Sequence, residues 1–295
     1  MKTVLTEVLE IAYEEDGPPD GPPVLLLHGW PDAPRGWNAV AARLHANGWR
    51  TVAPYLRGSG ATRFLSDKAP RVGSGIAMAQ DAIDLADALG LERFSVVGHD
   101  WGARIVYTLA ALFPERITSI AGLALAFQPG GRFTIPAFDQ ARRFWYQWLM
   151  CVDGGAASIE ADPVAFAHIQ WETWSPAGWF DEAEFAETAR SFTNPDWAAI
   201  TLNAYRSRWR EGETWDPRYD ALHRRLSEIE TLSAPALMIQ GVADFCDAPS
   251  ESEGQEAHFT GKYERLLIDG VGHFPHREAP DAVAEAILRH LRLHG

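Results

Sequence analysis

The pentapeptide Gly98-His99-Asp100-Trp101-Gly102 sets an acidic side chain between small residues. The apolar run Phe94-Ser95-Val96-Val97 before it reads as a buried strand, and Ala103 to Leu112 after it reads as a helix. A single side chain flanked by glycines at a strand-to-helix turn describes a nucleophile elbow. Serine is the usual occupant, and an aspartate there changes the chemistry. A carboxylate attacking an ester would give an anhydride, a poor intermediate. Against a saturated carbon with a leaving group, such as an epoxide or an alkyl halide, it gives an ordinary ester that water can open. The competing reading makes Asp100 a plain cap on the following helix. The strand–glycine–glycine–helix context favours the elbow.

Three further positions fall at the ends of apolar runs, where ligands bind in open α/β sheets. Asp244 lies in Gly241-Val242-Ala243-Asp244, and its neighbour Asp247 competes for the same role but reads as a solvated loop carboxylate. His273 lies in Gly270-Val271-Gly272-His273-Phe274. A histidine is the natural general base near neutral pH, and a carboxylate behind it would fix its tautomer. The neighbouring His276 reads as a surface residue. The turn His28-Gly29-Trp30-Pro31 can aim a backbone N–H at the site. The N–H groups of Trp30 and Trp101 would then form an oxyanion hole. The Trp30–Pro31 bond is a candidate for the cis form, and His28 and His99 read as structural.

The elements that must hold these groups alternate along the chain. Strands are expected at Val24–Leu27, Trp49–Ala53, Phe94–Val97, Ile117–Ala126, Pro235–Gln240 and Tyr263–Ile268. Helical spacing of apolar residues marks Ile76–Leu89, with Gly90 as its stop, and Ala279–Leu293. The pattern predicts an α/β fold with a mostly parallel sheet between helices. From 128 to 225 the strand signal vanishes, and this stretch holds eight of the twelve tryptophans. It reads as a helical cap inserted into one α/β core made of residues 1–127 and 226–295.

Composition narrows the partners. A net charge of −14 argues against nucleic acid and anionic membranes. Cys151 and Cys246 fit no disulfide framework or metal motif, so free thiols, a cytoplasmic location and no cofactor are expected. No apolar run is long enough to span a bilayer. A monomer or a homodimer fits equally well.

These motifs together resemble the α/β-hydrolase-fold epoxide hydrolases and, more loosely, the dehalogenases beside them. The likeness covers nearly the whole chain and rests on His28-Gly29-Trp30-Pro31, Arg57-Gly58-Ser59-Gly60, the Asp100 elbow, Asp244 and Gly272-His273. It implies two cap tyrosines that hydrogen-bond the epoxide oxygen. Tyr146-Gln147 and Leu202-Asn203-Ala204-Tyr205-Arg206 match the segments that carry them, with Tyr219 as a spare candidate. The expected substrate is a small molecule, an epoxide that the tryptophan-rich cap suggests is bulky and apolar or aromatic, opened to a vicinal diol, with Gln147, Trp148 and Trp174 as pocket residues. Fluoroacetate-type dehalogenases share Arg104, but they carry an arginine after the nucleophile and a His-Trp pair on the cap, where this chain has Trp101 and Tyr146-Gln147. A dehalogenase with the same nucleophile is the alternative reading. A non-catalytic ligand-binding homologue is the alternative of another class.

Overall fold

The computed structural model describes residues 1–295. Nine strands form one sheet: β1 (Lys2–Leu5), β2 (Leu9–Asp16), β3 (Pro23–Leu27), β4 (Arg50–Pro54), β5 (Arg63–Phe64), β6 (Phe94–His99), β7 (Ile117–Leu123), β8 (Ala236–Gly241) and β9 (Tyr263–Ile268). Their spatial order is β1-β2-β4-β3-β6-β7-β8-β9, with β5 beside β2. All pairs from β4 to β9 are parallel, while β2 pairs antiparallel with β1, β4 and β5.

The central strands are apolar on both faces because helices cover both. Leu25, Leu27 and Val96 face one apolar cluster, and Val24, Leu26 and Val97 the other, as the two-residue period of a strand requires. The helices Gly75–Ala88 and Trp101–Leu112 cover the first face; Asn38–Ala46 and Pro280–His294 cover the second. The edge strand β9 is only partly buried throughout.

Two expectations need adjustment. The antiparallel edge was not anticipated, although Leu9, Ile11 and Tyr13 alternate toward the core as a half-buried strand should. Strand β7 stops at Leu123 rather than Ala126. Ala124 adopts φ +69°, which is incompatible with an extended chain, and the backbone leaves the sheet there.

No strand lies between Leu123 and Ala236. Seven α-helices fill that stretch, and the two most relevant below are Trp145–Met150 and Trp197–Trp209. The larger apolar cluster runs unbroken from the sheet into this helical insertion through Trp30, Tyr146, Trp174, Trp197 and Tyr205. Polar ties cross the same boundary. Trp171 Nε1 donates to Pro31 O at 2.8 Å, and Trp30 Nε1 donates to Thr201 Oγ1 at 2.9 Å. No helix is long and apolar enough to cross a membrane.

Candidate active site

Asp100 sits at φ +50°, ψ −114°, a conformation costly for any residue with a Cβ. Its surroundings allow the tight turn because two neighbours lack side chains. A Cβ on Gly98 would meet the Gly102 carbonyl, and one on Gly102 would meet the Leu27 carbonyl. The carboxylate makes no hydrogen bond to its own helix, so the helix-cap reading fails. Its Oδ1 instead accepts the Trp30 N–H at 2.8 Å, across a turn whose Trp30–Pro31 bond is cis. His28 supports that turn, since its Nε2 accepts the Leu56 N–H at 3.1 Å and its Nδ1 donates to Gly29 O at 2.8 Å.

His273 Nε2 lies 3.7 Å from Asp100 Oδ2, and its Nδ1 lies 2.9 Å from Asp244 Oδ2. The other Asp244 oxygen accepts the N–H groups of Cys246 and Asp247 at 2.8 and 2.9 Å, which aims the carboxylate at the histidine. The His273 main chain is fixed on both sides. Its N–H donates to Ser175 Oγ at 2.8 Å, and its carbonyl accepts from His99 Nε2 at 2.7 Å. All three side chains are buried. Burial opposes the charge on His273, but the negative charges of Asp244 and the nearby Asp100 outweigh it and raise the imidazole well above its ordinary range. Burial likewise opposes the charge on Asp100, yet the neighbouring His273 and the Trp30 N–H hold the carboxyl below its ordinary range.

Both candidate tyrosines reach this chamber from the helical insertion. The Trp30 ring stacks on Tyr146 at 5.9 Å and meets Tyr205 edge-on at 5.2 Å. The two phenol rings stand 5.4 Å apart, nearly perpendicular. Tyr205 Oη accepts the Trp101 indole N–H at 3.0 Å, and Tyr146 Oη accepts from Gln147 Nε2 at 3.0 Å. A hydroxyl that already accepts a bond keeps its proton for donation. Burial pushes both phenols well above their ordinary pKa, so both carry that proton at neutral pH.

The pocket residues separate into two groups. Trp174 packs edge-to-face on His273 at 4.8 Å and lies 5.0 Å from Tyr146. Gln147 is buried behind Tyr146, with its Oε1 accepting from Trp209 Nε1 at 2.9 Å. Trp148 instead donates to Ala141 O and packs against Trp209 within the insertion, apart from the catalytic groups. The spare candidate Tyr219 accepts from buried Arg57, which is paired with Asp81, and is likewise elsewhere.

His276 corrects the sequence reading. It is fully buried, not a surface residue, and its Nε2 lies 3.0 Å from Asp32, which also pairs with Arg277. Only the partner carboxylate, distant in sequence, makes burial of that histidine tolerable. Sequence reasoning also missed Cys246, whose Sγ lies 3.6 Å from Tyr146 Oη, and Ser175 beneath His273. A lone cysteine and a lone serine carry no spacing signal that would have found them. Two clusters bring three potential metal-ligand atoms within 4.8 Å, Asp32-His99-His276 and Cys246-Asp247-His273. Each has a member already engaged by a residue outside the cluster: Asp32 by Arg277, and His273 by Asp244.

An aspartate on a strained elbow, backed by a histidine and a second carboxylate from later strand ends, defines a class of fold and site. The family model described as the alpha/beta hydrolase fold matches residues 22–280, and the chain belongs to that family. Among its relatives is epoxide hydrolase A of Mycobacterium tuberculosis, 26% identical over 98% of this chain and 96% of that protein. Fluoroacetate dehalogenase of Burkholderia sp. is 30% identical over 91% of this chain and 86% of its own. A crystal structure from Klebsiella pneumoniae, of a protein provisionally described as an epoxide hydrolase, superposes with a TM-score of 0.91. It is 36% identical to this chain, covering 99% of it and 97% of that protein.

Proposed function

We propose that this chain is an epoxide hydrolase that works through a covalent ester on Asp100. The observation that carries the reading is the meeting of two protonated phenols with Asp100 in one buried chamber. An opening epoxide develops negative charge on oxygen, and two O–H donors are what that charge needs.

The two Asp100 oxygens have different environments and different tasks. Oδ2 attacks an epoxide carbon; the C–O bond breaks, and the released oxygen takes a proton from Tyr146 or Tyr205. Oδ1, bonded to the Trp30 N–H, becomes the carbonyl oxygen of the ester. Esterification removes the Asp100 charge that helped to hold a proton on His273, and that proton passes to the tyrosinate left by the first step, which restores the phenol and leaves the imidazole neutral. The imidazole then accepts a proton from water at Nε2 while Asp244 steadies the cation at Nδ1. Hydroxide adds to the ester carbon, Trp30 and Trp101 N–H groups hold the oxyanion, and collapse expels the diol with one original Asp100 oxygen. The net reaction is epoxide plus water to vicinal diol. The insertion acts as the cap, and its aromatic lining suits an apolar substrate.

The test is one turnover of excess enzyme with styrene oxide in oxygen-18 water, followed by mass spectrometry of the Asp100 peptide. Label in Asp100 together with diol supports the ester route. Diol with label only in the product excludes it. Fluoride release from fluoroacetate without diol from any epoxide would move the chain to the dehalogenases.

A further inference from the structure

His273 stands on a loop that has left the sheet, beyond the end of β9 at Ile268. Three successive main-chain N–H groups of that loop are bound by side chains. Glu278 Oε2 accepts the Gly272 N–H at 2.7 Å, and its Oε1 accepts the Phe274 N–H at 2.9 Å. Between them, Ser175 Oγ accepts the His273 N–H at 2.8 Å and donates its own proton to Glu278 Oε1 at 2.7 Å. One carboxylate and one hydroxyl thus close a clamp around the backbone of the histidine.

The two halves of the clamp come from different regions. Ser175 belongs to the helical insertion, at the end of the helix Pro163–Trp174, and Glu278 ends the short core helix Pro275–Glu278. The regions meet here backbone to backbone. A Cβ on Gly272 would collide with the Ser175 hydroxyl and Cα, so glycine at 272 is what admits the insertion to the loop.

The insertion also reaches the carboxylate behind the histidine. The Phe245 N–H, next to Asp244, donates to Trp174 O at 3.0 Å, and Arg143 Nη1 donates to Asp244 O at 3.0 Å. The hydrogen bonds of Asp100 run to the core: its carboxylate accepts from Trp30, and its N–H donates to Leu123 O at 3.1 Å. The nucleophile is therefore set without the insertion, and the Asp244–His273 pair is set with it.

A buried N–H left without an acceptor is costly, so a loop that loses one shifts to find another. His273 has little room for that, with Nδ1 2.9 Å from Asp244 Oδ2 and Nε2 3.7 Å from Asp100 Oδ2. A misplacement of about 1 Å at a reacting group costs on the order of 100-fold in rate.

We propose that Ser175 and Glu278 are positioning residues for the water step, through which the insertion holds the general base in line. The inference rests on the function proposed above for the step it affects. His273 acts when the ester is opened, so the clamp governs the second half of the reaction and leaves the first alone.

Two readouts test this, and one needs no turnover. The first is the NMR resonance of the His273 Nδ1 proton, bonded to Asp244, in the full chain and in Ser175→Ala, Glu278→Gln and Glu278→Ala. Its exchange with water is expected to quicken about tenfold in the alanine variants, and less in Glu278→Gln, which keeps one acceptor oxygen. Wild-type exchange in both alanine variants overturns the proposal. The second is quenched flow with styrene oxide, which separates ester formation from ester hydrolysis. Ser175→Ala should slow hydrolysis about tenfold and Glu278→Ala about 10- to 100-fold, with ester formation within about twofold of wild type. The double variant should lose little more than Glu278→Ala, since both residues serve one clamp. Both steps slowed alike, or neither slowed, would reduce the pair to structural support and overturn the proposal. Thermal unfolding checks each variant; if Glu278→Ala fails to fold, Ser175→Ala, which removes a single oxygen, decides. A wild-type chain that forms no ester would remove the epoxide reading, and proton exchange at His273 would then decide the clamp by itself.

Discussion

The catalytic chamber is built from two regions that hold their side chains by different means. Asp100, Asp244 and His273 stand at the ends of parallel strands or just beyond them, and main-chain bonds fix each: Trp30 N–H on Asp100, the 246 and 247 N–H groups on Asp244, and Ser175 and His99 around His273. Tyr146 and Tyr205 stand on helices of the cap, held by side chains alone, Gln147 and Trp101. Main-chain geometry is set by the whole sheet and cannot drift without unfolding it. Side-chain contacts can be exchanged one at a time. On the proposed function, the core therefore fixes which atoms react, and the helical insertion tunes how readily a given substrate reaches them.

The sharpest way to break that contrast is within the core. Asp100→Ala should lower diol formation by about 10⁴-fold or more, because no other group can form the ester. His273→Gln should behave differently: Asp100 still attacks, and the ester accumulates. Mass spectrometry of the intact variant after mixing with epoxide should show one added substrate mass, with hydrolysis slowed by about 10³-fold. If His273→Gln formed no ester, the two core groups would act in one step and the sequential scheme would fall.

The pH dependence follows from the same pair. In the free protein two carboxylates raise the His273 imidazole above its ordinary range despite its burial. Esterification neutralises one of them, so the imidazole sheds its proton more readily in the intermediate. Ester formation should vary little across neutral pH, and ester hydrolysis should rise with pH as His273 deprotonates. Rapid quenching at pH 5 should therefore trap more ester than at pH 8. The reverse order would show that His273 is not the base.

Cap substitutions should cost less. Tyr146→Phe and Tyr205→Phe should each slow ester formation by about 10- to 100-fold, since the other phenol remains, and the double variant should lose more than either. The ester hydrolysis rate, measured on preformed intermediate, should stay close to wild type in both. A Tyr205→Phe variant as inactive as Asp100→Ala would place the cap and the core on the same footing.

The two regions also differed in how readily they could be read from the sequence. Glycines around Asp100 and His273 announce sharp turns because few other residues permit them, and apolar runs announce the strands that lead there. Those signals are local. What escaped was set by partners distant in the chain. His276 looked exposed until Asp32 and Arg277, brought together by the fold, explained its burial. Trp148 had the same composition around it as Tyr146, yet helix phase turned it toward Trp209 instead of the chamber. The antiparallel edge of β1 and β2 carried too many charges to stand out, since one of its faces meets solvent.

The smallest expected effect concerns the carboxylate that competed with Asp244. Asp247 offers its N–H to Asp244 Oδ1 at 2.9 Å, while its own carboxylate meets Cys246 Sγ at 3.4 Å, and His273 points at Asp244. Burial and the neighbouring Asp244 charge raise Asp247 above the ordinary carboxylate range. Asp247→Asn keeps the main-chain bond and removes a negative charge from the surroundings of His273. The imidazole then loses part of its support as a cation, so its pKa in the ester intermediate falls. The acidic limb of ester hydrolysis should move to lower pH by less than about one unit, with the plateau rate within about threefold of wild type. Asp244→Asn should instead remove most of the hydrolysis, since it leaves Nδ1 without an anionic partner. Equal damage from the two substitutions would mean that both carboxylates orient the histidine, and the assignment to Asp244 alone would fail.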